Sequence, residues 1–469
     1  MNRLAFRKIF LIWLAWALIV IGFQALATAR FQPVFPDMAQ EWTATYTLPQ
    51  NYQVDRPYLA EPFMNNQVCW DSEYYISIAS GGYDDPKVPH LTPLGKATTW
   101  NDGMRIDGQL YTGDSISLNY AFFPLYPWMM WLFHWPLMAF GIGQVASTTF
   151  AGVIVSALGA LLGMLALYDL TYESLGEAGA MRAAFYLIIF PSGFFLVQVY
   201  TEGLFVGLAF ACLAMLRKGK WLPAALLGAA ATLTRAVGVT LVIPMAITWF
   251  RTGDWLDIDL EWNQLYYWFK ESWRALFLAV RKIFRAIFGI QRQEDPDWNW
   301  LREKLVVVVS FGKMLLAFAP LIAFLIWKFS RLGVNFDIVE SNFFGRGFLD
   351  FGRAYYNSAA AFHSMFVHIP ARTAYFLTEF LGLAIGVATC LACIKQYPEI
   401  AWFSLAVLVI SWGSGSVQGM IRYMIGGPAV FVMLARWGRN SVFDRVWTIA
   451  SILLMGLLAM LFAFNFWVA

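Results

Sequence analysis

Four charged residues stand out in a chain that has few: Asp71, Glu202, Arg235 and Arg422. A carboxylate beside guanidinium groups at a lipid boundary suits one task. The carboxylate takes a proton from an acceptor hydroxyl. The arginines, whose planar fork matches a phosphate, hold a phosphate leaving group. Positive charge placed there also stabilises the transition state as the phosphate departs. Asp71 and Glu202 are therefore the candidate catalytic acids. Arg235, Arg422 and the adjoining Tyr423 are the candidate donor-phosphate ligands. Trp70, Tyr75, Tyr126 and Tyr200 are the aromatic candidates for a substrate groove. Plainer readings stand beside these: Asp71 as a carboxylate favoured at a helix start by the dipole, and Glu202 as a solvated span end.

Three stretches must position these residues. Trp70-Asp71-Ser72-Glu73-Tyr74-Tyr75-Ile76-Ser77-Ile78 carries apolar side chains at 70, 74, 75 and 78. That spacing predicts an amphipathic helix lying on the outer membrane surface. Phe122-Phe123-Pro124-Leu125-Tyr126-Pro127 opens an apolar segment, 121–140, that also holds Pro136. Three prolines predict a broken, re-entrant segment lining a protein cavity. Thr234-Arg235 interrupts the apolar run 221–250. A charge at bilayer centre costs roughly 2.5–3.5 kcal/mol even on lenient scales, so two short helices meeting at Arg235 are expected.

Composition identifies the solvent. Hydrophobic residues make up 59% of 469, and charged residues only 13%, about half the usual share of a soluble domain. Twenty-two Trp and 18% aromatics fit membrane–water interfaces. A net charge of +3 implies no nucleic-acid partner. The expected class is an all-α integral membrane protein with about eleven transmembrane helices, the broken segment, and a large first external loop bearing the amphipathic helix. Cys390-x-x-Cys393 lies in an apolar stretch without a second pair, so it reads as helix packing rather than a zinc or redox site.

Charge asymmetry sets the orientation. Arg3, Arg7 and Lys8 precede the apolar run 9–29, and Arg217-Lys218-Gly219-Lys220 follows another, so both mark the cytoplasm. Residues 30–120 hold five Lys/Arg against eleven Asp/Glu and read as external. Further spans are expected near 144–168, 181–199, 201–216, 304–328, 371–394, 398–412, 421–436 and 446–467. Three units follow: an N-terminal catalytic membrane module, 1–250; a cytoplasmic amphipathic insert, 251–303; and a C-terminal membrane module, 304–469. In the insert, Lys270, Arg274, Arg281 and Arg285 share one helical face suited to an anionic leaflet; a solvated linker is the alternative. On this topology Asp71, Glu202, Arg235 and Arg422 all face the external side.

Cys69-Trp70-Asp71, Ile78-Ala79-Ser80-Gly81-Gly82-Tyr83, Phe122 to Pro127, Tyr200-Thr201-Glu202-Gly203-Leu204-Phe205, Thr234-Arg235 and Arg422-Tyr423 together resemble the GT-C superfamily of membrane glycosyltransferases. The nearest likeness is to the phosphatidylinositol-glycan class V type of mannosyltransferase. The matches keep the family's order from 69 to 423. Cys69 stands where that family has Arg, Gly203 where it has Ser, and the insert is atypical. The resemblance implies a polyprenyl-phosphate sugar donor, mannose in the first instance, and a lipid-linked or glycan acceptor. It implies an inverting transfer on the non-cytoplasmic face with Asp71 as base. The few cysteines and the unusual insert point to a prokaryotic plasma membrane. One carboxylate suffices, because the phosphate leaves without a proton and the paired carboxylates of glycosidases are not needed. No cofactor is required by the sequence and no metal is demanded, though a divalent ion stays open. Asp71 and Glu73, the close acidic pair, point to different faces.

Other classes remain in view: transfer of an arabinosyl, glucosyl or galacturonosyl group, a lipid or sugar transporter without transferase activity, and an assembly subunit. Against a transporter, the charges gather at one surface rather than at the midplane, and no inverted repeat is evident.

Overall fold

The computed structural model describes residues 3–32, 36–47, 56–93, 95–98, 105–106, 109–110, 113–252, 309–347 and 349–468. Residues 253–308 lie outside that set, and with them Lys270, Arg274, Arg281 and Arg285 and nearly all of the expected insert. The chain is an all-α membrane protein. Among the described residues, strands are confined to two short antiparallel ladders in the first loop, His90–Leu91 with Ile116–Ser117 and Arg105–Ile106 with Gln109–Leu110.

Four helical stretches among the described residues are long and apolar enough to cross a bilayer: Arg3–Arg30, Gln144–Ile189, Pro370–Cys393 and Ser441–Ala463; Gln144–Ile189 is two helices meeting at a kink at Gly176, φ +70°. Val309–Ala317 and Ala319–Lys328 form a fifth span if taken as one, bent by 46°. Trp221–Thr234, Pro398–Gly413 and Pro428–Trp437 are apolar but shorter. They rise only about 15–25 Å at 1.5 Å per residue, against a hydrocarbon core of about 30 Å. Beside the full-length spans among the described residues stand several short apolar helices, and the ends of these gather at the candidate site.

Three expected elements differ in detail. The segment 121–140 is one unbroken helix, Leu125–Met138. Pro124 precedes it and Pro127 sits in its first turn, where a missing N–H has no intrahelical partner to lose. The expected span 181–199 ends at Ile189, and residues 190–201 are 3-10 turns and bends. Pro191 explains the stop, since the residue before a proline is pushed out of the helical region. The span 421–436 is split into Met420–Tyr423, a 3-10 turn and Pro428–Trp437.

The Ser72–Gly81 helix does not lie on a membrane surface. Residues 72–79 are all buried. Its polar side chains are satisfied internally: Glu73 by Arg56 at 2.7 Å, and Ser77 by Asp85 at 2.8 Å and Asn119 at 2.8 Å. Loop residues cover the face that water was expected to cover.

Glycines set the tightest crossing. A Cβ on Gly159 would lie 2.3 Å from the Gly203 carbonyl oxygen, and one on Gly203 would lie 2.2 Å from that of Ser156. The Gln144–Ile189 and Glu202–Arg217 helices therefore touch backbone to backbone, as small-residue membrane crossings do. Serine cannot replace Gly203 here, which gives that departure from the resembled motif a local cause.

Basic ends share one side. Lys8 pairs with Glu177 at 3.6 Å, Arg217 with Glu173 at 2.8 Å, and Lys218 with Asp169. At the other end of the first helix, Gln24 joins Gln67 and Gln198 in a buried amide cluster. Lys8 and Gln24 are sixteen residues apart, or about 24 Å along the axis. The candidate residues collect at the Gln24 end. The Trp221–Thr234 and Ala319–Lys328 helices also pack directly, with the Pro320 ring against Gly228.

Candidate active site

Asp71 follows a strained turn. Trp70 has φ +49°, a left-handed conformation rare for a bulky residue and common at functional sites. Local bonds hold it there: the Cys69 N–H donates to Ser72 Oγ at 3.0 Å, and the Tyr200 hydroxyl donates to the Cys69 carbonyl at 3.0 Å. The same hydroxyl accepts from the Asp71 N–H at 3.3 Å. The Asp71 carboxylate makes no helix-capping bond, so the plain N-cap reading fails. Instead Oδ2 meets Arg422 Nη1 at 3.4 Å.

Glu202 is the hub of the arginines. Its Oε1 pairs with Arg235 Nη1 and lies 3.4 Å from Arg422 Nε. Arg235 Nη1 also donates to Thr201 Oγ1 at 3.2 Å. Glu202 is 3% exposed, so it is not a solvated span end. Nor does it face the cavity described below; it holds two guanidinium groups and would not touch a substrate. Arg235 owes its place to the break expected at that point: its backbone is extended, φ −154° and ψ 142°, between Trp221–Thr234 and the following 3-10 turn.

Tyr423 sits among three arginines. Its hydroxyl accepts from Arg346 Nη1 at 3.3 Å and from Arg422 Nη2 at 3.4 Å. Arg235 and Arg422 lie over its ring at 5.0 and 5.3 Å, distances at which a cation is attracted by the ring face. Arg422 is likewise over Tyr200 at 5.4 Å.

These groups open on one cavity of about 1230 Å³. Asp71, Arg235, Arg346, Arg422 and Tyr423 form its polar wall. Phe123, Trp327 and Phe336 form an apolar wall, with Phe123 stacked on Trp327 at 4.0 Å. Trp42, Trp70 and Trp467 form a third wall, their rings meeting edge-to-face at 4.9–5.5 Å. Among the groove candidates, Trp70 and Tyr75 line the cavity. Tyr126 and Tyr200 do not. Tyr126 is fully buried with its hydroxyl on the Gly152 carbonyl and Ser156, and Tyr200 serves the Asp71 turn. A buried phenol needs a partner, and both found one inside the protein.

Four charged residues at or near the cavity were not singled out by sequence reasoning. Arg346 and Glu340 lie in the polar stretch after residue 330, where charge is unremarkable. Glu379 is buried in the Pro370–Cys393 helix, and its carboxylate accepts from the N–H groups of Gly419 at 3.0 Å and Ile421 at 2.9 Å. It fixes the turn, with Gly419 at φ +81°, from which Arg422 projects. A lone acid in an apolar span was the available signal. Arg56, the partner of Glu73, carried none. Burial raises the Glu73 carboxyl, and Arg56 opposes the rise. Among the described residues no three His, Cys, Asp or Glu side chains gather as a metal site would need.

No family model and no curated protein matches the chain. Among solved structures, the Archaeoglobus fulgidus oligosaccharyltransferase in its apo form is similar over 97% of this chain and 56% of its own, at 11% identity and a TM-score of 0.38. The A. fulgidus enzyme AglB, in complex with an inhibitory peptide and a dolichol-phosphate, matches over 96% and 55%, at 15% and 0.37. ArnT from Cupriavidus metallidurans bound to undecaprenyl phosphate matches over 82% and 76%, at 16% and 0.27. The chain spans about half the length of the archaeal enzymes. Likeness at this level is distant, and no activity is carried over from it.

Proposed function

We propose that the chain is a glycosyltransferase that moves a hexose, mannose in the first instance, from a polyprenyl-phosphate donor to a hydroxyl of a lipid-linked or glycan acceptor on the non-cytoplasmic face. The observation that carries the reading is the meeting of Asp71 with Arg422 on a cavity wall that also presents Arg235 and Arg346. One general base beside three guanidinium groups, with an aromatic apolar wall opposite, suits a phosphate-bearing lipid and a neutral nucleophile. The ordered motifs from Cys69 to Tyr423 add a resemblance to membrane glycosyltransferases that use such donors.

The steps balance without a further reactant. The acceptor hydroxyl gives its proton to the Asp71 carboxylate as its oxygen bonds to the anomeric carbon. The bond from that carbon to the phosphate oxygen breaks, and its electron pair leaves with the polyprenyl phosphate. Arg235, Arg346 and Arg422 offset the growing negative charge. Attack opposite the phosphate inverts the anomeric centre. The test is sugar transfer from a polyprenyl-phosphate hexose to an added lipid or glycan acceptor by the purified chain, with Asp71→Asn as the control. Equal product from both proteins would remove Asp71 as base.

A further inference from the structure

One carboxylate on the cavity wall has no part in the reaction above. The Arg331–Asn342 helix turns Phe336, Asp337, Glu340 and Ser341 onto the cavity, a spacing of i, i+1, i+4 and i+5 that marks one helical face. Asp337 is occupied by Lys328. The Glu340 carboxylate is half-buried, yet it accepts no hydrogen bond among the described residues. Its own backbone carbonyl is what holds the Arg346 N–H, at 2.9 Å. An acceptor open on a cavity wall is free to take a hydrogen bond from a ligand hydroxyl.

Its surroundings say where that ligand group would sit. Burial raises the Glu340 carboxyl to about 7, Arg346 opposes the rise, and Asp71 adds to it. Glu340 shares the cavity wall with Asp71, the base, and Arg346, an arginine of the phosphate site. In the proposed reaction, the donor's sugar ring occupies the space between those two.

We infer that Glu340 is a specificity-determining residue that accepts hydrogen bonds from ring hydroxyls of the donor sugar, so that the favoured donor is a hexose with free hydroxyls on the side facing the Arg331–Asn342 helix. This rests on the transferase reading. A carboxylate has two oxygens and no donor when ionised, which matches a pair of neighbouring hydroxyls. Hydroxyl donors would also favour its ionised form.

The experiment uses the full chain in nanodiscs with short-chain polyprenyl-phosphate mannose and glucose, and with the 2-, 3-, 4- and 6-deoxy analogues of whichever turns over. Donor binding is followed in parallel by tryptophan fluorescence. The wild type should reject at least one deoxy donor by 100-fold or more in kcat/KM, because a site built for a hydroxyl is left unpaired without it. In Glu340→Gln the natural donor should lose at least 30-fold, and the penalty for that deoxy donor should shrink below fivefold. Glu340→Asp should recover part of the discrimination. A uniform loss across all donors, or wild-type discrimination in Glu340→Gln, overturns the inference while leaving the transferase reading intact. Absence of transfer from every donor by the wild type overturns both.

Discussion

Arg422 Nη1 stands 3.4 Å from Asp71 Oδ2, joining residues 351 positions apart in the chain. The contact ties the first loop to the last third of the protein. Arg422 is 7% exposed and Asp71 28%, and both line the cavity.

Asp71→Asn keeps the shape and loses the proton acceptor. General-base removal typically costs about 10²–10⁴ in rate. A fall of that order in kcat is expected, with donor affinity within about threefold of wild type in an equilibrium binding assay.

Arg346→Ala and Arg235→Ala should each weaken binding of polyprenyl phosphate by about tenfold or more, the scale of one charge-assisted contact at about 1.5–3 kcal/mol. Arg422→Lys should not restore function, because an ammonium is a point charge that cannot span Asp71, Glu202 and Tyr423 together. Titration with the lipid phosphate alone, at fixed salt, checks all three.

Glu202→Gln removes the charge that Arg235 and Arg422 share. Breaking a buried pair from one side costs roughly 3–5 kcal/mol. The expected sign is a marked drop in melting temperature together with lost activity, read by a thermal-unfolding assay in detergent. An unchanged melting point would show that Glu202 is not the hub.

Arg56→Ala leaves Glu73 buried without its partner, since the pair is 11% and 0% exposed. A loss of about 3–5 kcal/mol is again expected. Adding Glu73→Gln to Arg56→Ala should recover stability, because the stranded charge is gone. A double variant no better than the single one would argue against this account.

Glu340 gives a pH signature. Its carboxyl is raised to about 7, chiefly by burial, above the ordinary 4.3 of an unfolded chain. A raised folded value means that the folded state binds the proton more tightly. Its contribution is favourable below about pH 4 and is lost as pH rises through about 7. Glu340→Gln should therefore melt higher than wild type at pH 8, and the gap should close towards pH 5. Melting curves of both proteins across that range decide it.

Much was legible in the sequence because composition and backbone chemistry are local. Low charge and long apolar runs dictated helices in lipid. Arg235 predicted its own helix break, because a charge cannot sit in the middle of a span. Asp71, Arg235, Arg422 and Tyr423 could be named from residue type and motif order. The pairings could not. That Glu202 turns inward to two arginines, that Tyr126 and Tyr200 spend their hydroxyls on backbone, and that the Ser72–Gly81 helix is roofed by loop residues depend on which segments meet across hundreds of positions. Arg346 and Glu379 could not be placed for the same reason: a charged side chain acquires its surroundings from what the fold brings against it, and their partners, Tyr423 and the Gly419–Ile421 turn, come from distant parts of the chain.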